Sequence, residues 1–335
     1  MNICFVVDNF SPKVGGPYTA IKDITQQLKK LEIKYVIVNK KNFLSKKKNL
    51  KNYDIFHIFG GWSLFYIRLS ILASRMKKKV IIHPMGFYES WSLSQKKIKK
   101  FFAWKLYQER FLLNANLIHC ASKNEKKNLL KLNSNFKTVV LPFGVNDNFI
   151  KKKIVKKLNK KVLFFSRLHH KKGLAELIYA WQKIGNSDWT LDIIGDGDNN
   201  AYFKRLVNNK NVKINFLNPI YRNIDKIKVF NKYDFFVLPT KNENFGISIL
   251  ESLSRGLPVL TTNNTPWTII RAYNAGWIIN NIETKLRLNL AKIFEMNSND
   301  FFIKSKNAVK LAKRFTWSKI FKKDYMTVYK KILDS

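Results

Sequence analysis

The sequence predicts an α/β protein made of two Rossmann-like halves, each a doubly wound parallel sheet. Three observations carry that expectation. Apolar runs of strand length alternate with amphipathic stretches of helix length along most of the chain. The alternation lapses near the middle, at the lysine run KKKIVKKLNKK, residues 151–161. The 335 residues are also the length of two domains at about 150 residues each.

In order, residues 3–7 read as a buried strand from their unbroken apolar run. Gly15 and Gly16 follow in a loop, and a helix is expected over 18–31. Further strands are expected at 35–38, 55–59, 80–83, 117–121 and 138–141, with helices over 64–76, 95–113 and 124–132. Strands separated by helices imply parallel pairing through right-handed crossovers. A second βαβ series starts at Val162, with a helix over 174–184 and strands at 191–194, 213–216, 235–238 and 259–262. The last helix, 317–333, carries Ile320, Phe321, Tyr325, Val328 and Tyr329 as a stripe that needs a neighbour. The expected domains are 1–150 and 162–315, joined by a linker at 151–161, with the terminal helix occupying 316–335 and a cleft between the halves.

Cys4 and Cys120, the two cysteines, lie in apolar runs and read as buried thiols rather than a disulfide frame. The start, MNICFVVDNF, lacks the basic region and long apolar core of a signal peptide. The apolar neighbourhood 62–73 is broken by Arg68 and too short to span a bilayer. A cytoplasmic protein is expected. Sixty-two Lys and Arg against 22 Asp and Glu give a net charge of +40. Such a surface attracts polyanions, either nucleic acid or the anionic face of a membrane. No nucleic-acid motif accompanies it.

The most informative stretch is 235–260, FFVLPTKNENFGISILESLSRGLPVL. A strand stops at Pro239, a loop carries Glu243 and Gly246, and a helix follows with Ile247, Leu250 and Leu253 expected inward. Ligands of open α/β sheets sit beyond strand carboxyl ends, where helix N-termini offer free N–H groups to phosphate. Asn244, Phe245 and Gly246 fall there. Glu243 and Glu251 would bracket a hydroxyl-rich group. A nucleotide-sugar meets both demands.

Three stretches in sequence, FFSRLHHKKGLAELIYAW, IIGDGDN and PTKNENFGISILESLSRGLPVLTT, resemble the retaining glycosyltransferases of family 4, which have the GT-B fold. The family's signature is two glutamates with seven residues between them, here Glu243 and Glu251. The resemblance extends to DNFSPKVGGPYTAIKDI, DIFHIFGGWSL, IIHPMGFYESWSL and LIHCASKNEKKNL, and to RFTWSKIFKKDYMTVY, which is similar to the family's terminal helix crossing back to the first domain. It implies that Arg167 and Lys172 grip the donor diphosphate and stabilise the leaving group, as charge building on a departing diphosphate requires. It implies that Glu251 accepts bonds from the ribose, that Glu243 lies close to the donor sugar, and that Phe245, Gly246 and Ile247 meet the sugar and distal phosphate through backbone N–H groups. Gly15 and Gly16 match the glycine loop of the first domain. Many members have histidine just before the glycine of IIHPMGFY; here Met85 stands there, with His83 two residues earlier. These two are the candidates for the sugar or acceptor side.

Other residues carry blander readings. Asp196 and Asp198 form a D-x-D, but IIGDGDN fits the family's glycine turn better than a cation site, and no metal or other cofactor is expected. The G-x-G beginning at Gly195 meets Asn200 where a dinucleotide fingerprint needs its third glycine. His57 and His119 read as buried imidazoles, His169 and His170 as loop residues, and Trp267, Trp277 and Trp317 as core. The segment 95–113, QKKIKKFFAWKLYQERFLL, fits either an interfacial membrane helix or a core helix with a charged outer face. The base is expected near 218–221.

The expected function is therefore transfer of a sugar from a nucleotide-diphosphate donor, with retention, to a saccharide acceptor. A lipid-linked acceptor in lipopolysaccharide, O-antigen or capsule synthesis and a peripheral place on the inner face of the cell membrane complete the expectation. A nucleotide-sugar epimerase of similar architecture and a basic nucleic-acid-binding protein are the alternatives.

Overall fold

The computed structural model describes residues 1–185, 188–197 and 199–335. The chain divides into two compact units, Met1–Phe143 with Trp317–Ser335, and Gly144–Thr316.

The first unit holds a six-stranded parallel sheet of β1 (Ile3–Val7), β2 (Tyr35–Val38), β3 (Ile55–Phe59), β4 (Lys79–His83), β5 (Leu117–Cys120) and β6 (Thr138–Val140), in the order β2-β1-β3-β4-β5-β6. Its inner strands β1 and β3 are buried along their whole length, as strands covered by helices on both faces must be. The last residues of the chain belong here. Helix Trp317–Ile320, a π turn over Phe321–Met326 and helix Thr327–Asp334 bury Phe321, Tyr325, Tyr329 and Ile332. The π turn shifts the stripe, so Val328 is only half-buried and Ile332 takes the inward place.

The second unit has its own six-stranded parallel sheet: β7 (Lys161–Phe165), β8 (Thr190–Ile194), β9 (Lys213–Leu217), β10 (Phe235–Leu238), β11 (Val259–Thr262) and β12 (Gly276–Ile279). Their order is β12-β11-β10-β7-β8-β9. Counted from the unit's first strand this is 3-2-1-4-5-6, with the order reversing between β7 and β10. Loops leaving two such neighbours diverge to opposite faces and open a crevice at the carboxyl edge.

Three expectations change. The second unit begins at Gly144, ahead of the expected linker at 151–161. The run beyond is stitched to it: Val145 N–H donates to Phe315 O, Arg255 to Phe149 O at 2.7 Å, and Lys151 N–H to Ser254 O. The helix expected over 95–113 starts two residues later and carries a π turn. Lys96 is left-handed (φ 53°), and helix Lys97–Ala103 then runs through a π turn, Trp104–Gln108, into Glu109–Leu113. Finally, β12 and the helices Ile282–Phe294 and Ser298–Ala312 complete the second unit without having been foreseen.

Both cysteines are buried and unbridged. Burial pushes the Cys4 thiol up to about 12. Among the described residues, no helix is long and apolar enough to cross a membrane.

Candidate active site

The two loops at the reversal point of the second sheet carry the residues singled out above. After β7 the chain runs Ser166-Arg167-Leu168 into a single 3-10 turn, His170–Lys172, and reaches helix Leu174–Ile184 through the left-handed Gly173 (φ 71°). After β10 it runs from Pro239 to Gly246 and enters helix Ile247–Ser254. The loops are fastened to each other. Thr240 Oγ1 donates to Lys171 O at 3.0 Å, and Lys241 N–H donates to the same carbonyl at 2.8 Å.

Glycines make the fastening possible. A Cβ on Gly173 would lie 2.0 Å from Pro239 O. On the far side, one on Gly195 would lie 1.9 Å from Ser166 O, and one on Gly197 2.3 Å from Leu168 O. The glycines of IIGDGDN are thus packing glycines, and Leu168 N–H closes the contact by donating to Asp196 O at 2.9 Å. Asp196 turns its own Oδ1 to Gly197 N–H, a local cap. Asp198 lies outside the described residues.

This frame sets Lys172 against Glu243. Their side chains form an ion pair, both largely buried, with Glu243 14% exposed. Burial alone would push the Glu243 carboxyl up, but Lys172, Lys171 and Arg167 around it prevail, and it sits below the usual carboxylate range. Arg167 is exposed and forms no ion pair among the described residues. It stands close enough to be felt by Glu243 and by His169, whose ring is lowered first by burial and then by Arg167. His169 Nδ1 accepts from Lys171 N–H, and the His170 ring packs at a tilt against Tyr202 and Phe203, so both are loop residues as expected.

The turn Asn244-Phe245-Gly246 is held from beneath. Trp267 donates its indole N–H to Phe245 O at 2.5 Å, and Phe245, Trp267 and Phe315 form an aromatic trio. Glu243 N–H donates to Asn264 O at 3.1 Å. Gly246 is left-handed (φ 79°) and caps helix Ile247–Ser254, whose first intrahelical acceptor is Gly246 O. The N–H groups ahead of that point have no acceptor within the helix. Ile247, at the loop end of this short helix, is half-buried, and Ile249 joins Leu250 and Leu253 in the core instead.

Glu251 is 5% exposed and is not free: Lys226 Nζ lies 2.7 Å from its Oε1. Lys226, on helix Asn223–Phe230, also sits over the Phe165 ring, 5.4 Å from its centroid. The sequence reading missed this lysine, and one lysine among so many offered no signal. Trp267 and Phe315 were likewise legible only as apolar bulk. The run 218–221 follows β9, with Asn218 and Tyr221 exposed.

In the first unit, Gly15 is left-handed (φ 76°), and a Cβ there would meet nothing within 4 Å, so its backbone conformation rather than crowding demands glycine. Gly16 opens helix Gly16–Lys30 and has Met85 Cε 3.8 Å from where its Cβ would be. Met85 is half-buried and left-handed (φ 55°), a strained state for a side chain with Cβ. His83, the other candidate for the sugar or acceptor side, lies at the end of β4. It is fully buried, stacked on His119 at 4.2 Å, with Nδ1 2.6 Å from His119 O. Its strand points it into the core beside His57 rather than outward. Trp267 and Trp317 are core as expected, whereas Trp277 is half-buried with Lys304 Nζ 5.0 Å from its ring centre.

Residues 145–295, most of the second unit, match the family model for glycosyl transferases, group 1. An uncharacterized glycosyltransferase of Haemophilus influenzae is 27% identical over 163 residues, which are 48% of this chain and 39% of that protein, so the match spans about two fifths of its length. An uncharacterized 41.2 kDa protein in the cps region of Klebsiella pneumoniae is 26% identical over 318 residues, 88% of this chain and 82% of that one. Among solved structures, that of HepE from Anabaena in complex with UDP and glucose superposes with a TM-score of 0.75 at 17% identity, over 98% of this chain and all of that one. The architecture is the GT-B fold.

Proposed function

We propose that this protein is a retaining glycosyltransferase of family 4 type that moves a sugar from a nucleoside diphosphate donor to a saccharide acceptor. The observation that carries the reading is the Lys172–Glu243 pair beside the Gly246-capped start of helix Ile247–Ser254, with Glu251 one turn on. Cations, an open helix start and a buried carboxylate are what a diphosphate, its sugar and a ribose each need. The match to group 1 glycosyl transferases over the same residues supports it, as does the UDP and glucose held by the similar Anabaena protein.

In this reading the anomeric carbon–oxygen bond breaks with its electron pair going to the diphosphate, where Arg167 and Lys172 stabilise the gathering charge. The acceptor hydroxyl attacks from the same face, and its proton passes to the departing phosphate oxygen. Glu243 orients Lys172 and faces the sugar. Gly246 and Ile247 N–H groups hold the distal phosphate, and Glu251 accepts from the ribose. Charge work falls to side-chain cations, so the reading calls on no metal. The reading extends to an acceptor in surface polysaccharide synthesis, lipopolysaccharide or capsule, carried on a lipid; the relative from a cps region bears on the pathway and not on the carrier.

Thermal-shift measurements with UDP, GDP, ADP and their sugars, at raised salt to suppress nonspecific binding, test it. One nucleotide should stabilise the protein by roughly 2.7 kcal/mol at about 100 times its Kd. Indifference to all of them would overturn the reading.

A further inference from the structure

Residues 95–113 carry six Lys and Arg against one acid, Glu109. The inward side of the segment is firmly anchored. Trp104 packs on Trp62, Tyr88 and Phe136 at ring distances of 6.5, 5.8 and 6.2 Å. Gln108 Oε1 accepts from Trp62 N–H at 3.2 Å, while its amide donates to Tyr88 OH at 2.5 Å. Phe111 and Leu112 are buried beyond it.

Anchoring fixes which side faces out, and that side is apolar. Ile98, Phe102 and Leu106, at i, i+4 and i+8, are 75, 59 and 72% exposed, with Phe101 beside them at 58%. Leu113 extends the stripe. The core-helix reading needed these residues covered, and the first unit leaves them bare. Lys96, Lys97, Lys99 and Lys105 are exposed along the same stretch. Apolar side chains rimmed by lysines on an exposed helix match the depth profile of a lipid interface: acyl boundary for the stripe, anionic headgroups for the ammonium groups. A second copy is a poor occupant, because two chains of +40 each repel. Nucleic acid would engage the lysines but leaves Ile98, Leu106 and Leu113 without a partner.

We propose that the outward face of helix Lys97–Ala103, continued through the π turn to Leu113, docks the protein on an anionic lipid surface. The inference stands on this face alone and does not depend on the transferase reading. Flotation of the full chain with vesicles of phosphatidylcholine, with and without phosphatidylglycerol, tests it. Binding is expected only with the anionic lipid. Ile98→Ser with Phe102→Ser should weaken it more than about tenfold at unchanged charge. Lys97→Ser and Lys99→Ser should each remove about fivefold, and the double variant should depend less steeply on salt.

Binding of the Ile98→Ser, Phe102→Ser protein equal to the parent would overturn the proposal, since general polycation attraction would then suffice. Absence of parent binding, or an apolar-face-dependent dimer in sedimentation, would overturn it as well. Nucleotide thermal shifts on the same variants keep the two readings apart: a variant that loses lipid but keeps its nucleotide response supports this face and leaves the donor site standing.

Discussion

Lys226 and Glu251 set the terms on which a ribose could bind. A carboxylate this deep needs a partner, and Lys226 takes one of its two oxygens. In the proposed reading, the ribose hydroxyls donate to the other. Removing one member of such a pair strands the other in the core, so Glu251→Ala would confuse binding with folding. Glu251→Gln keeps the shape and an oxygen acceptor for Lys226 while removing the counter-charge, so its melting temperature is measured beside its binding. It should weaken nucleoside diphosphate binding by about tenfold or more, from bonds to a charged acceptor worth roughly 1.5–3 kcal/mol, as read by titration calorimetry. Retained affinity would sink the ribose role. Lys172→Ala should instead lower kcat by about 100-fold, with a smaller effect on KM, because the proposed mechanism has its charge act mainly on the leaving group. If KM rises and kcat stays, Lys172 is a ground-state anchor only.

At the scale of elements, the first sheet holds a network that earns attention for its pH response. His57 on β3 has Nε2 3.1 Å from His119 Nδ1 on β5 and Nδ1 3.0 Å from the Tyr329 hydroxyl of the terminal helix. His119 Nε2 lies 2.7 Å from Leu141 O. Burial lowers all three rings, His83 to about 4 and the other two well below 6.5. Depressed folded values mean that the unfolded chain takes up protons first as pH falls through about 6.5. Stability contributed by neutral rings is therefore complete above that pH and is lost as pH drops toward 4. The His83 lowering alone corresponds to roughly 3 kcal/mol. Urea unfolding followed at pH 7.5 and 5 should show the midpoint falling, and a level profile would contradict a buried, neutral network.

For the whole molecule, +40 on 335 residues is a self-repulsion that salt screens. The melting temperature should climb as ionic strength rises from low to physiological values. A fall would mean that the few surface pairs, such as Lys160–Asp188 at 2.8 Å, outweigh the repulsion. Much of the architecture was open to reading from the chain. Apolar runs such as FFVL and VLTT and the helix over 174–184 are local patterns, and burial on both faces of a parallel sheet writes them as continuous apolar stretches. The loop positions of Arg167, Lys172, Glu243 and Gly246 followed, since residues next to strand ends inherit the sheet's carboxyl edge. Other features depend on contacts between residues far apart in sequence. Lys226 meets Glu251 across 25 positions, Gly195 serves Ser166, and His83 turns inward because His119 stacks on it. Periodicity could show that residues 95–113 have two faces, but only packing of Trp104 against Trp62 and Tyr88 decided which one the solvent sees. Sequence determined the strands, the glycine-rich loops and the charge, because those are properties of neighbours along the chain. The tertiary structure decided which carboxylates are paired, which histidines are buried and which apolar stripe is left bare, because each depends on a partner that chain order does not name.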